Sequence, residues 1–290
     1  MTAIPAPDRD RQTTARPDPT GIDAYGPAQM AERVERAGIS KAALPALSVF
    51  TLAVLAGVFI AFGAMFYTLA ITDSPLRFGI SRLLGGLAFS LGLILVIVGG
   101  AELFTGNALI VMAWASGRIS SAALLRNWAL VYVGNLAGAL SAAALVHLSG
   151  TMSLGAGAVG DTAREIAAAK LALPADQAFF RGVLCNALVC LAVWLCYSAR
   201  DVTGKILGIV WPISAFVALG FEHSVANMYL IPAGMLTGAD LDLGGFVRNL
   251  FWVSLGNVLG GAGGVALVYW TVYLRPGAGS EVNLRRRPGR

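Results

Sequence analysis

Within GFEHSVANMYL (Gly220 to Leu230), a carboxylate, an imidazole and a carboxamide stand together in one of the most apolar regions of a 290-residue chain. An ionisable group at membrane depth is expensive and marks function by default, and a histidine titrates near neutral pH, so His223 points to proton transfer where water is scarce. The competing reading is a core histidine bonded to a neighbouring carbonyl. Glu222 is adjacent in sequence and must face elsewhere. A matching stretch, GAELFTGN (Gly100 to Asn107), places Glu102 and Asn107 where the first has Glu222 and Asn227. The two glutamates are expected to share a structural task, accepting backbone N–H groups that an interrupted helix leaves unpaired.

Other polar side chains are sparse. Thr105 offers a hydroxyl that can bond an anion, a ring nitrogen or a carbonyl of its own helix. Asn135 and Asn257 each follow a glycine inside an apolar block, where their amides can face a lumen or tie helices together, and Gly138 and Gly260 allow close helix approach. Lys170, in AAAKLAL, reads as a surface lysine or one partly buried at a pore mouth. His147 reads as interfacial. Cys185, Cys190 and Cys196 share one apolar block without CxxC spacing and are expected to be buried packing residues. With no phosphate loop, zinc spacing or catalytic grouping, the chain is expected to be neither an enzyme nor a cofactor or metal carrier.

The elements that position these residues follow from composition. The chain is 57% hydrophobic and 13% charged, roughly half the ~25% charged share of soluble domains, which indicates an all-α integral membrane protein. Apolar blocks run over Pro45 to Thr72, Ile80 to Ser116, Ala122 to Leu148, Ala178 to Tyr197, Ile206 to Met235 and Phe246 to Tyr273. Each reaches the ~20 residues needed to cross about 30 Å of hydrocarbon, which makes six transmembrane helices with both termini on one side. The second and fifth blocks are long and interrupted by the polar motifs, so both are expected to be broken helices. Fifteen of the 21 lysines and arginines fall on the side of the termini, which makes that side cytoplasmic. The net charge of +5 then reflects topology and acidic headgroups rather than nucleic acid.

The blocks also repeat. RNWALVYVGNLAG (126 to 138) and RNLFWVSLGNVLG (248 to 260) share six of thirteen residues at an offset of 122, and the polar motifs match at 120. Three spans separate the copies, so the second enters the membrane upside down: an inverted 3+3 repeat, as in transporters and channels whose path lies between the repeats. Residues 1–42 form a cytoplasmic tail in which Met30, Val34 and Ala37 share a face, readable as a short interfacial helix or as unstructured chain. Residues 43–274 form the membrane domain and 275–290 a basic cytoplasmic tail.

With these residues in place, the chain resembles the formate/nitrite transporter family, most closely its formate-channel branch, from about Leu55 to Leu274. The telling stretches are GGLAFSLGLILVIVGGAELFTGN, ASGRISSAALLRNWALVYVGNLAGAL, NALVCLAVWLCYSAR, FVALGFEHSVANMYLIP and GNVLGG. The resemblance implies an aquaporin-like homopentamer in the bacterial cytoplasmic (inner) membrane, each protomer with its own pore for small monovalent anions such as formate or nitrite. It makes His223 the central pore histidine, Thr105 its partner and Lys170 the positive residue of the periplasmic vestibule. It places Asn186, Glu222, Asn227 and Asn257 near the pore, and Phe89, Leu93, Leu103 and Phe216 at apolar constrictions. Glu102 departs from the Asp that close relatives can carry. The expected mechanism brings an anion to His223, which removes most of its desolvation cost by supplying a proton. Nitrite, hydrosulfide and lactate are the rival substrates. A neutral-solute or water pore is the rival from another class, and a membrane enzyme the weakest.

Overall fold

The computed structural model describes residues 24–238 and 242–275. The Pro- and Asp-rich first residues and nearly all of the basic tail expected from residue 275 lie outside the described residues. Among the described residues all regular structure is helical: α1 (Pro27–Ala43), α2 (Ala46–Ile71), α3 (Phe78–Gly99), α4 (Gly106–Ala115), α5 (Ser121–Leu148), α6 (Ala158–Leu171), α7 (Ala175–Ser198), α8 (Val202–Ala218), α9 (Ser224–Leu236) and α10 (Leu243–Tyr273). Helices α2, α3, α5, α7 and α10 are long and apolar enough to cross a membrane, whereas α4, α8 and α9 are shorter apolar helices. The block Ile80 to Ser116 is thus α3 and α4 with a break between them, and Ile206 to Met235 is α8 and α9.

Both breaks begin the same way. Gly100 and Gly220 take φ of +80° and +73°, a left-handed conformation that glycine adopts without steric cost and that ends a helix. The next N–H groups, of Ala101 and Phe221, turn back to the carbonyls of Val96 and Phe216, at 2.9 and 3.0 Å.

Packing also falls into parallel sets. Helix α2 lies against α3 and α5, α7 lies against α8 and α10, and α3 meets α8. The α2–α5 and α7–α10 contacts are close because glycines line them: a Cβ at Gly138 would strike the Val54 carbonyl, and one at Gly260 the Val183 carbonyl. Close backbone approach of this kind is what holds helices together where no hydrophobic effect separates side chain from solvent. Gly138→Ala or Gly260→Ala is therefore expected to cost about 1–3 kcal/mol and to lower the thermal midpoint in detergent. Gly79→Ala, where the added methyl meets open space, should leave the midpoint unchanged or raise it.

Around this core, Phe62, Phe66, Val133, Phe251 and Leu255 point outward, as lipid-facing or intersubunit surfaces do. Helix α1 occupies the stretch read as an interfacial helix or unstructured chain. Its Met30 and Val34 are buried in a cluster with Ile110 and Met112, so its apolar face is packed on protein.

Candidate functional site

Each of the two breaks gathers buried polar side chains, and each is held by the same set of bonds. At the first, Asn135 of α5 accepts the Phe104 N–H through Oδ1 at 2.9 Å and donates through Nδ2 to the carbonyls of Ala53 and Glu102, at 2.8 and 2.9 Å. At the second, Asn257 of α10 accepts the Ser224 N–H at 2.9 Å and donates to the carbonyls of Gly182 and Glu222, at 2.8 and 3.0 Å. The two asparagines, both fully buried, thus satisfy backbone groups that broken helices leave over. Of the alternatives open for them, they tie helices together.

This outcome corrects the expectation for the glutamates. Glu102 and Glu222 accept from side chains instead of from the freed backbone. Lys41 Nζ donates to Glu102 Oε1 at 2.7 Å and to Asn107 Oδ1 at 3.1 Å, and Asn107 Nδ2 donates to Glu102 Oε2 at 2.7 Å and to Asn127 Oδ1 at 3.0 Å. Lys170 Nζ donates to both oxygens of Glu222 at 2.9 Å, and Asn227 Nδ2 donates to Glu222 Oε2 at 2.7 Å and to Asn249 Oδ1 at 2.8 Å. Asn249 closes its cluster by donating to the Lys170 carbonyl at 2.9 Å. The carboxylates are buried, and a buried charge needs a counter-charge more than it needs a backbone partner that an amide can replace. Lys41, Asn127 and Asn249 belong to this constellation and were not singled out in the sequence as site residues. The signal was there for the two asparagines, which are identical across the repeat. For the lysines it was hidden by a shifted offset, since Lys41 and Lys170 are 129 residues apart.

One bond joins the two breaks directly, and it is made by residues that the repeat does not pair. Thr105 Oγ1 lies 2.9 Å from His223 Nε2, and His223 Nδ1 accepts the Ala226 N–H at 3.0 Å, capping α9. Because Nδ1 is occupied as an acceptor, the proton of the neutral ring sits on Nε2 and is donated to Thr105, whose own hydroxyl hydrogen is left free to donate onward. Asn186 steadies the threonine from behind, donating to the Thr105 carbonyl at 3.2 Å and to that of Asn257 at 2.6 Å. Cys190 Sγ donates to the same Thr105 carbonyl at 3.5 Å, and all three cysteines are free and buried.

Two cavities lie near this bond, one lined by Leu103 and Gly106, which flank Thr105, and the other by His223 itself. One, of about 330 Å³, is lined by Lys41, Leu93, Glu102, Leu103 and Asn107 together with Arg33 and Lys205. The other, of about 190 Å³, is lined by Phe89, Lys170, Phe216, Glu222, His223 and Asn227 together with Arg82 and Arg181. The apolar residues therefore divide: Leu93 and Leu103 face the first cavity, while Phe89 and Phe216 face the second, their rings edge to face at 5.5 Å, with Phe216 stacked 5.9 Å from His223. Such an arrangement can hold an anion in either cavity against a donor set and bar it from passing as a hydrated ion.

The family model described as formate/nitrite transporter matches residues 28–271. This chain belongs to the formate/nitrite transporter family. Among curated members, "Formate channel FocA" of Escherichia coli (strain K12) is 42% identical over 274 residues, covering 88% of this chain and 96% of the relative. The "Probable formate transporter" of Methanothermobacter thermautotrophicus is 41% identical over 272 residues, 88% of this chain and 99% of the relative. Among solved structures, the "Pentameric formate channel with formate bound" aligns with a TM-score of 0.74 and 41% identity over 79% of this chain and 98% of that one. An "FNT family ion channel" aligns at 0.77 and 31%, over 84% and 98%. Family membership makes the long apolar helices those of a multi-pass membrane protein, and the family is one of channels and transporters rather than enzymes.

Proposed function

We propose that this protein is a channel for small monovalent anions, formate foremost, and that His223 links their passage to protons. The observation that carries the reading is the buried Thr105–His223 bond with a cavity on each side, one lined by Leu103 and Gly106, which flank Thr105, and one lined by His223 itself. Formate as substrate and a homopentameric assembly are supported by the solved relative that is pentameric with formate bound, and formate also by the formate-channel relatives.

In this reading the chain crosses the bacterial cytoplasmic membrane six times as an inverted, aquaporin-like 3+3 repeat, with α3–α4 and α8–α9 as broken spans and both termini cytoplasmic. The matched Lys–Glu–Asn–Asn clusters and the matched roles of Asn135 and Asn257 support the repeat. A contact between equivalent residues supports it further: Tyr132 and Ser254, 122 positions apart, bond through their hydroxyls at 2.9 Å, as residues on a pseudo-twofold axis do.

An anion reaching the constriction loses hydration at a cost of several kcal/mol. A protonated His223 gives its proton through Thr105 to the carboxylate, which passes as the neutral acid while the ring returns to its neutral form. To become doubly protonated, the ring must first release the Ala226 N–H. Proton-linked transport therefore dominates at low pH, and passage by the bare anion when the ring is neutral. Nitrite is the second reading, favoured by the scope of the family itself.

The test is flux of formate, nitrite, lactate and hydrosulfide into proteoliposomes at two pH values, with ionic current recorded across a bilayer. Formate flux above the other anions is expected, rising as pH falls, with an ionic current at the higher pH, where the bare anion passes. Water permeability without current or anion flux would identify a neutral pore instead.

A further inference from the structure

We propose that Arg82 and Arg181 form the anion-attracting element of the His223-side cavity, a role that the charge pairing denies to Lys170. The proposal rests on the anion-channel reading and names residues which that reading leaves without a task. Both arginines line the 190 Å³ cavity, one from α3 and one from α7. They converge on a single point: a Cβ built at Gly220 would lie 3.2 Å from Arg82 Nη2 and 4.0 Å from Arg181 Nη1.

That point is the C-terminal end of α8, where the unpaired carbonyls and the helix dipole gather partial negative charge. Uncovered, it would repel an anion from the mouth of the cavity. Arg82 donates through Nε to the Ala218 carbonyl at 3.2 Å, through Nη2 to that of Val217 at 2.8 Å and through Nη1 to the Tyr67 hydroxyl at 3.3 Å. Arg181 donates to the Gly220 carbonyl at 3.5 Å and to Gln177 Oε1 at 3.1 Å. These bonds leave N–H groups over on both guanidiniums, each of which carries five. Neither arginine has an ion-pair partner among the described residues. Lys170 does: its charge is met by Glu222 in a two-oxygen contact, its side chain only 15% exposed. Glu222 is the one carboxylate among the residues lining this cavity. The positive potential of the mouth is therefore that of the two arginines, which turn a helix end that would repel anions into one that gathers them. A positively lined cleft of this kind raises the local concentration and on-rate of an anion, and salt screens it.

The experiment is formate flux into proteoliposomes at sub-saturating formate, with ionic strength varied by an impermeant salt, for the wild type, Arg82→Gln/Arg181→Gln, Arg181→Gln alone and Arg181→Lys. The wild type is expected to lose flux as salt rises. The double glutamine variant is expected to run about tenfold slower at low salt, to respond little to salt and to approach the wild type at high salt. Arg181→Gln should fall between them, and Arg181→Lys should keep the salt dependence. Arg181→Gln makes the test readable if the double variant does not assemble, because Arg181 holds fewer carbonyls than Arg82. Variants equal to the wild type at every salt, or slowed equally at low and high salt as a purely structural role requires, would overturn the proposal while leaving the channel reading intact. A wild type without formate flux would overturn both.

Discussion

His223→Asn protein in liposomes is expected to lose the rise of formate flux with falling pH, and at acid pH to run at least about tenfold slower than the wild type. Asparagine is chosen because the His223 ring has two tasks. Its Nδ1 caps α9 by accepting the Ala226 N–H, and its Nε2 faces the Thr105 hydroxyl. Asparagine is among the best N-capping residues, so the helix end stays satisfied, but an amide does not exchange a proton near neutral pH. The sign follows from which form carries the proton: falling pH fills the ring with the proton that it hands on, so wild-type flux climbs, and the variant has nothing to fill. The magnitude follows from desolvation of an unprotonated anion at several kcal/mol, with each ~1.4 kcal/mol a factor of ten in rate. His223→Ala is the companion, losing the cap at about 1 kcal/mol and the pH dependence with it. If both variants keep the wild-type rate and pH profile, His223 has no part in proton transfer.

Lys170→Met is expected to be the most destabilising single change in the two lysine clusters. It leaves the Glu222 carboxylate, 7% exposed in its side chain, without a counter-charge, and breaking a buried pair by removing one partner costs about 3–5 kcal/mol. The thermal midpoint in detergent should fall by several degrees and oligomers should dissociate earlier. Lys41→Met should cost less, since the Lys41 side chain is 30% exposed and solvent screens what remains. The double change Lys170→Met/Glu222→Gln should recover most of the loss, because the introduced amide can still accept from Asn227 and no bare charge is left. A double variant as unstable as Lys170→Met would show that the loss comes from packing and not from the stranded carboxylate.

Much of this architecture is local and therefore readable. Apolar runs of twenty or more residues declare spans because backbone polar groups in hydrocarbon must be paired within the segment. GAELFTGN and GFEHSVAN declare the breaks because no continuous helix would place Gly, Glu and Asn there at such a cost. The recurrence of RN and GN at one offset declares that α5 and α10 do the same work. Even the identity of His223 as the unshared residue, standing where the first motif has Leu103, is a comparison of two strings.

What the tertiary structure alone decided is which charges meet. Lys41 lies 61 residues from Glu102 and Lys170 lies 52 from Glu222, across offsets that differ from those of the motifs, so no string comparison pairs them. The role of the glutamates changed for the same reason: a freed backbone N–H can be met by any acceptor, here the amides of Asn135 and Asn257, whereas a buried carboxylate requires a cation brought from another helix. Thr105 and His223 touch although the repeat pairs neither with the other. Two guanidiniums, of Arg82 from α3 and Arg181 from α7, converge on Gly220 at the α8 end. Apolar run, break and repeated motif are properties of segments, which sequence by itself determined, while which charges meet is a matter of distance, which exists only once the helices are packed.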